Sequence, residues 1–199
     1  MSPYKVTRDL EAALCEYTGA SYAVCVNSCT AAILLAVKWC DRNNGVEIEI
    51  PKRTYMSVPM SIIHACCSVT WREEDWKGEY QLKPYPIWDS ARRFTSGMYR
   101  PEQFQCVSFS SSKILGIEQG GAILHDNAEA DRWFRRMRFD GRTEGVDPRQ
   151  DTFDLVGHHC IMPPGISAQL LLKLSFLPEH NPDLGYYDYP DLSLHPAFK

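Results

Sequence analysis

The amino-acid sequence predicts an α/β fold, in which helices pack on a sheet of short strands. Segments with helical spacing and short apolar segments alternate through the first 125 residues, a pattern typical of sheets covered by helices. Two of the apolar segments, 87–89 and 106–109, have the length and composition of buried strands. Asp89 ends the first and Lys113 follows the second. Because open α/β sheets bind ligands at the carboxyl ends of their strands, we expect both side chains to face one crevice.

The individual elements are predicted from local signals. Apolar residues of the first helix recur at helical spacing until Gly19, and the strand after the second helix alternates until Pro51. Segment 72–84 is predicted as a polar excursion, and segment 178–199 as a wrapping arm or a disordered end. Helices are expected at 7–17, 31–40, 57–67, 127–139 and 167–174, and strands at 21–26, 46–50, 68–71, 87–89, 106–109 and 122–124.

The composition is that of an ordinary globular protein. With 199 residues, of which 44% are hydrophobic and 23% charged, the chain can bury one substantial core, and one domain is expected. The formal net charge of −4 gives no global attraction to nucleic acid or to an anionic membrane. No apolar run approaches the roughly 20 residues of a membrane span, and the first residues lack a signal-peptide core, so we expect a cytoplasmic protein.

Eight cysteines are present, mostly within apolar stretches and never spaced as C-x-x-C. This pattern favours reduced, buried thiols over a disulfide framework or a zinc site. The run His158-His159-Cys160 resembles a ligand set, but three consecutive side chains do not easily converge on one ion. No metal site is therefore predicted.

A candidate anion site lies at residues 27–30, where the strand 21–26 passes into the apolar helix 31–40. Free backbone N–H groups and the helix dipole both favour phosphate at such a helix N-terminus. The alternative is that Ser28 or Thr30 only caps the helix.

Asp89 and Lys113 are the residue types that a pyridoxal phosphate (PLP) site requires. A lysine amine holds the PLP aldehyde as a Schiff base, and an acid beside the pyridine nitrogen keeps that nitrogen protonated. The pair at positions 120 and 121 is Gly-Gly, which lets the backbone turn sharply before the next strand. Singly, an acid that ends a strand and a lysine in a polar loop are commonplace, so the combination is what favours the cofactor.

Five segments in this order resemble the DegT/DnrJ/StrS-type sugar aminotransferases, a branch of the fold type I PLP enzymes. They are VNSCTAAILLAV, IPKRTYMSV, WDSARRF, VSFSSSKILGIEQGGAIL and VGHHCIM, and the resemblance spans roughly residues 6–175. It implies a three-layer α/β/α fold with a mostly parallel central sheet, here smaller by about one βα unit. It also implies a PLP-binding large domain at 1–177 and an irregular arm at 178–199, without the further C-terminal domain of the family.

The resemblance assigns catalytic roles to Lys113, which holds the cofactor, and to Asp89, which pairs with the pyridinium nitrogen. Ser28 and Thr30 match the turn that grips the PLP phosphate, although Cys29 replaces the usual glycine between them. Ser108, five residues before the lysine, matches a further phosphate contact.

Three more cofactor-binding residues are implied by position. Tyr55 matches the aromatic residue that stacks on the pyridine ring, and Arg92 stands where the family has Gln or His beside the ring hydroxyl. Arg92 is suited to stabilise the ionised hydroxyl, but a surface ion pair is the alternative. His159 stands in place of an asparagine that reaches the phosphate of the neighbouring subunit.

The function expected from this resemblance is transfer of an amino group, with glutamate as the expected donor, to a keto-sugar nucleotide. A homodimer with shared active sites is expected as the partner arrangement. Two alternatives stay open, namely another PLP reaction such as racemisation or decarboxylation, and a non-catalytic binding protein of the same fold. The arginines at 132, 135, 136, 138 and 142 form a solvated or dimer-contact face, or meet the diphosphate of the sugar nucleotide.

Overall fold

The structure, a computed structural model, describes residues 4–42, 45–185 and 188–198. Its five α-helices are α1 (Lys5–Thr18), α2 (Cys29–Asp41), α3 (Ser57–His64), α4 (Ala128–Met137) and α5 (Pro164–Leu174). Its seven strands are β1 (Tyr22–Val26), β2 (Glu47–Pro51), β3 (Ser68–Arg72), β4 (Tyr80–Leu82), β5 (Ile87–Asp89), β6 (Phe104–Ser108) and β7 (Gly121–His125). Two short 3₁₀ turns, 192–194 and 196–198, follow in the arm.

The strands form a five-stranded sheet, in the order β1-β7-β6-β5-β4, and a parallel pair, β2-β3. Backbone hydrogen bonds of 2.9 and 3.1 Å between Glu49 and Lys83 join β2 to the end of β4. Only β5 and β6 are parallel neighbours in the larger sheet. Following the pairings from strand to strand, five of the seven strands nevertheless share one direction, and β4 and β7 run opposite to them.

Helices cover both faces of this sheet, which confirms the predicted α/β class. Successive residues of β7 point to opposite faces, so Ile123 packs beneath α2 and α4, while Leu124 packs with α1 and α5. Each face buries its own apolar cluster. The arrangement is therefore the three-layer one that the resemblance implied.

Segment 72–84 differs from its prediction, because it contains the strand β4. Tyr80 and Leu82 of this strand are buried, and β4 pairs antiparallel with β5. It fills the gap between β5 and β2. The alternation of Tyr80, Gln81 and Leu82 was the available signal, but the charged residues around it concealed it.

Two arginines of the predicted basic face of α4, Arg135 and Arg138, form ion pairs with acidic side chains of the fold. Arg138 is buried and forms charge pairs with Glu11 and with Glu144, at 2.7 Å in the second case. Arg135 contacts the other oxygen of Glu11 at 2.6 Å. Since Glu11 also accepts the backbone N–H of Cys25 at 2.9 Å, these arginines tie α1 and α4 to β1. Arg138 is thus enclosed by the fold, whereas Arg135 is 29% exposed but is engaged in the same ion-pair network.

All eight cysteines are free thiols, and Cys25, Cys67, Cys106 and Cys160 are buried. Burial raises the pKa of the Cys160 thiol to about 11. Among the residues that the structure describes, no helix has the length and apolar character needed to span a bilayer. The same residues contain no group of three or more His, Cys, Asp or Glu side chains that could hold a metal ion.

His125, at the end of β7, is expected to make stability depend on pH. It is fully buried among Tyr22, Phe104 and Phe134, with ring centroids 5.4 to 5.8 Å away. Burial lowers its pKa to about 4, although Asp131 opposes the shift. Because the unfolded chain binds the proton more readily, stability is retained above pH 6.5 and lost as the pH falls towards 4. This side chain should account for about 3 kcal/mol of that loss.

Denaturant unfolding at pH 7 and at pH 4 measures this effect. The variant His125→Phe should lose less stability on acidification than the parent protein. The control is His64→Phe on α3, where the histidine is exposed. Equal losses for His125→Phe and the parent would contradict the assignment.

Candidate active site

The candidate site is a cavity of about 380 Å³ at the carboxyl ends of β5 and β6, beside the N-terminus of α2. It brings together all but one of the residues that the sequence proposed for the cofactor. Those that line it are Ser28, Cys29, Thr30, Tyr55, Asp89, Arg92, Ser108 and Lys113. Their individual roles toward a cofactor stay predictions.

Ser28 begins α2 as its N-cap. Its side-chain oxygen accepts the backbone N–H of Ala31 at 3.1 Å, so the capping alternative holds for this residue. The same residue also lines the cavity. Thr30 is held by a 2.7 Å hydrogen bond between its hydroxyl and that of Ser57, which links α2 to α3. The turn is therefore a preorganised helix N-terminus that opens into the cavity, as an anion requires.

Cys29 occupies the first helical position of α2, where an ordinary side chain is accommodated. Its backbone therefore does not need the glycine of the related turn. The close approach at this turn depends instead on Gly121, which starts β7: a Cβ atom there would lie 2.5 Å from the backbone nitrogen of Cys29. The glycine that this close packing requires is therefore Gly121 of β7.

Asp89 is buried at the end of β5 and is held by two hydrogen bonds. Its Oδ2 accepts from the Tyr80 hydroxyl at 2.8 Å, and its Oδ1 accepts from the backbone N–H of Ala91 at 3.0 Å. Burial raises the pKa of this carboxyl, while Tyr80, Ala91 and Lys113 pull it down. A cationic group in the cavity would offset the cost of burying the charge.

Lys113 follows β6 in a tight loop, in which its backbone N–H donates to the carbonyl of Ser110 at 2.9 Å. Burial and the nearby Arg92 guanidinium lower the pKa of the Lys113 amine, against the opposing pull of Asp89. Across the described parts of the chain, Lys113 forms no salt bridge with Asp89, although both line the cavity. Space for a ligand therefore remains between them.

Tyr55 and His159 differ in their placement. Tyr55 lines the cavity but is 54% exposed, so it forms part of the rim. His159 lies outside the cavity, where its Nδ1 contacts Asp140 at 3.0 Å and its side chain is largely exposed. Its predicted contact is with a second subunit, which a single chain does not test, so that role stays a prediction.

Sequence reasoning missed several residues around the site. The Tyr80 hydroxyl that donates to Asp89 is also hydrogen-bonded to the Thr54 hydroxyl, so both residues hold the carboxylate in place. Trp76 and Tyr189 line the cavity and come from segments predicted to be irregular. Trp76 and Tyr80 are large apolar residues within a charged stretch, which was the one signal of a buried role. Nothing in the pattern around Tyr189 pointed to the site.

Comparison with known proteins gives a family match for the N-terminal part of the chain. Residues 1–82 match the DegT/DnrJ/EryC1/StrS aminotransferase family. The resemblance predicted from the sequence is thereby confirmed. The chain is also 30% identical over 116 residues to the spore coat polysaccharide biosynthesis protein SpsC of Bacillus subtilis (strain 168). That match covers 57% of this chain and 29% of SpsC.

Solved structures agree on the fold. A Bacillus cereus ATCC 10987 protein assigned as a PLP-dependent aminotransferase superposes with a TM-score of 0.72 at 17% identity, over 88% of this chain and 59% of its own. Helicobacter pylori PseC, an aminotransferase of pseudoaminic acid biosynthesis, gives 0.71 at 16%, over 87% and 58%. The chain thus spans well under two thirds of these relatives. The fold is that of PLP aminotransferases of fold type I.

The family and these neighbours support PLP as the cofactor, and the cavity fits it. A phosphate needs the open N-terminus of α2, a pyridinium needs a buried carboxylate, and an aldehyde needs an amine of lowered pKa. The DegT-like chain supplies these at residues 28–30, Asp89 and Lys113.

Proposed function

We propose that this chain forms the PLP-binding part of an aminotransferase that acts on a keto-sugar. The observation that carries the proposal is the presence of Lys113 and Asp89 in one cavity without a direct ion pair between them. A buried carboxylate and a buried amine that do not pair directly are costly to keep charged unless a ligand compensates them. The match of residues 1–82 and the fold support the same assignment.

Bound PLP supplies an electron-accepting ring that stabilises negative charge on the substrate's α-carbon. Asp89 then holds the proton on the ring nitrogen, because its carboxylate is buried and fixed in orientation by Tyr80 and Ala91. The hydroxyl groups of Ser28 and Ser108 and the N-terminus of α2 orient the phosphate.

Lys113 has two tasks in this proposal. Its amine would hold the cofactor aldehyde in the neutral form, which its lowered pKa favours. The Lys113 Nζ would also be the general base that accepts the proton of the amino donor's α-carbon and returns a proton to the acceptor.

The finer assignments extend this proposal. Glutamate is proposed as the amino donor and a nucleotide-linked keto-sugar as the acceptor, in a cytoplasmic homodimer whose second subunit contributes His159. Relatives of the sugar type support this choice over racemisation or decarboxylation. A non-catalytic binding protein is the remaining alternative.

An absorbance titration with PLP tests the proposal. We expect a visible band that borohydride removes, with the added mass located on Lys113 by peptide mass spectrometry. Glutamate should convert the bound cofactor to its pyridoxamine form, which racemisation and decarboxylation do not require. A protein that takes up no PLP would refute the proposal, and one that binds PLP but does not respond to any amino donor would favour the non-catalytic alternative.

Arg92 is expected to set the pH range over which Lys113 reacts. Its guanidinium lowers the pKa of the Lys113 amine, so Arg92→Gln should raise that pKa. Covalent attachment of PLP should consequently shift to higher pH. Spectrophotometric pH titration measures the shift, with Arg149→Gln, which replaces a highly exposed arginine, as the control. An unchanged titration curve for Arg92→Gln would contradict this role.

A further inference from the structure

The arm, residues 178–199, brings the aromatic ring of Tyr189 into the wall of the cavity. It is anchored to the body on both sides of that residue. Before Tyr189, the Asp183 carboxylate accepts from Arg93 Nε at 2.9 Å, and the backbone of Leu184 exchanges hydrogen bonds of 3.0 and 3.1 Å with Arg92 and Gly78. The arm is thus joined to the segment that follows Asp89.

The first anchor is specific in shape. Gly78 has a φ of +74°, and a Cβ atom at this position would lie 2.4 Å from the carboxyl group of Asp183. The body therefore leaves space for this one side chain of the arm. The arginine that binds this carboxylate, Arg93, also pairs with the buried Glu79, and this second contact fixes the orientation of the guanidinium.

After Tyr189, a second anchor returns the arm to the loop that carries Tyr55. Leu192 is 3% exposed, and its backbone N–H donates to the carbonyl of Lys52 at 2.9 Å. The Lys52 amine contacts Asp191 at 3.0 Å. Tyr189 is thereby held between two fixed points of the arm.

The ring of Tyr189 joins the two sides of the proposed cofactor site. Its centroid lies 6.3 Å from that of Tyr55, edge to face, and 6.4 Å from that of Trp76, nearly parallel. Trp76 packs at 4.8 Å on Tyr80, which holds Asp89. The Trp76 indole is fixed by a 2.9 Å hydrogen bond to the carbonyl of Arg53. A continuous row of rings therefore runs from the rim of the cavity to its buried carboxylate.

We propose that Tyr189 is a positioning residue of the cofactor site, which holds the Tyr55 ring against the pyridine ring of PLP. Tyr55 is more than half exposed and gains a fixed lateral contact from the arm. Aromatic contacts at this spacing stabilise one ring orientation over others. This inference rests on the proposed function, since it names a residue that acts on the same cofactor.

Titration of Tyr189→Ala with PLP tests the proposal through cofactor affinity and through the circular dichroism of the bound cofactor. We expect affinity to fall about five-fold, which corresponds to one aromatic contact, and the visible dichroism to decrease as the ring loses its fixed orientation. Tyr189→Phe, which keeps the ring, should restore both signals. Leu192→Ala should lower both by loosening the arm.

The matched control is Leu194→Ala, which changes an exposed apolar residue of the same arm and should alter neither signal. Parent-like affinity and dichroism in Tyr189→Ala would overturn the inference while leaving PLP binding intact. A decrease in Tyr189→Phe equal to that in Tyr189→Ala would overturn it as well, because the ring would then be irrelevant. Absence of PLP binding in the parent chain would overturn both this inference and the proposed function.

Discussion

The variant Lys113→Ala is expected to lose covalent PLP and to slow amino transfer roughly 10²- to 10⁴-fold, the usual range for a general acid or base. The amine is the group that bonds to the aldehyde and moves the proton, and alanine supplies neither function. The remaining cavity should still bind PLP non-covalently, because the α2 N-terminus and Asp89 are unchanged. The visible band that borohydride removes should therefore disappear, while phosphate-dependent binding persists.

Conversion of the bound cofactor by glutamate, followed by absorbance, measures the rate. Lys5→Ala is the matched control, since Lys5 is exposed on α1 and paired with Asp9. Its rate should equal that of the parent. If Lys113→Ala retained the reducible band, another lysine would hold the cofactor and the assignment of the site would be wrong.

Asp89→Asn is expected to lower the rate of amino transfer about 10²- to 10³-fold, the scale for removing one preorganised electrostatic partner. Asparagine keeps the shape and can still accept from Tyr80, but it cannot stabilise a protonated ring nitrogen. Since burial raises the pKa of Asp89, its charge is a cost to the empty fold. The cofactor-free variant should consequently be as stable as the parent, or more stable.

Thermal unfolding and single-turnover kinetics together test this combination. The contrasting control is Asp41→Asn, because Asp41 is also buried but accepts from the backbone of Val46 and Gly45 and from the Tyr85 hydroxyl. Although burial acts against them, these hydrogen bonds lower the pKa of Asp41. Asp41→Asn should therefore lose stability and keep its rate. A stability loss in Asp89→Asn without a rate effect would assign Asp89 a purely structural role.

The local motifs of the site were predictable because each of them is contained in a short segment of the sequence. The strand end at Asp89, the loop at Lys113 and the helix start at Ser28 each combine a residue type with a position at the end of an element. Such positions are fixed by local periodicity, so the sequence could place them near one another. It also predicted the main helices and strands close to their observed bounds.

The parts that were not predicted depend on contacts between distant segments. The strand β4 fills a gap between β5 and β2 in which backbone groups need hydrogen-bond partners, and its short alternating pattern was concealed by the charged residues around it. In the same way, position 121 requires a glycine only because β7 lies against the backbone of Cys29. Burial of Arg138 depends on Glu11, more than a hundred residues away.

The sequence alone determined the α/β class, the resemblance to the DegT-type aminotransferases, and the candidate acid, lysine and anion-binding turn. These features depend on residue type and short-range spacing, which any sequence displays directly. Tertiary structure confirmed the predicted convergence of these residues on one cavity, of about 380 Å³, and it alone decided that Tyr189 of the arm lies in the wall of that cavity. The physical reason is that the arm has no periodicity of its own, and its position is set by the Arg93, Gly78 and Lys52 contacts that receive it.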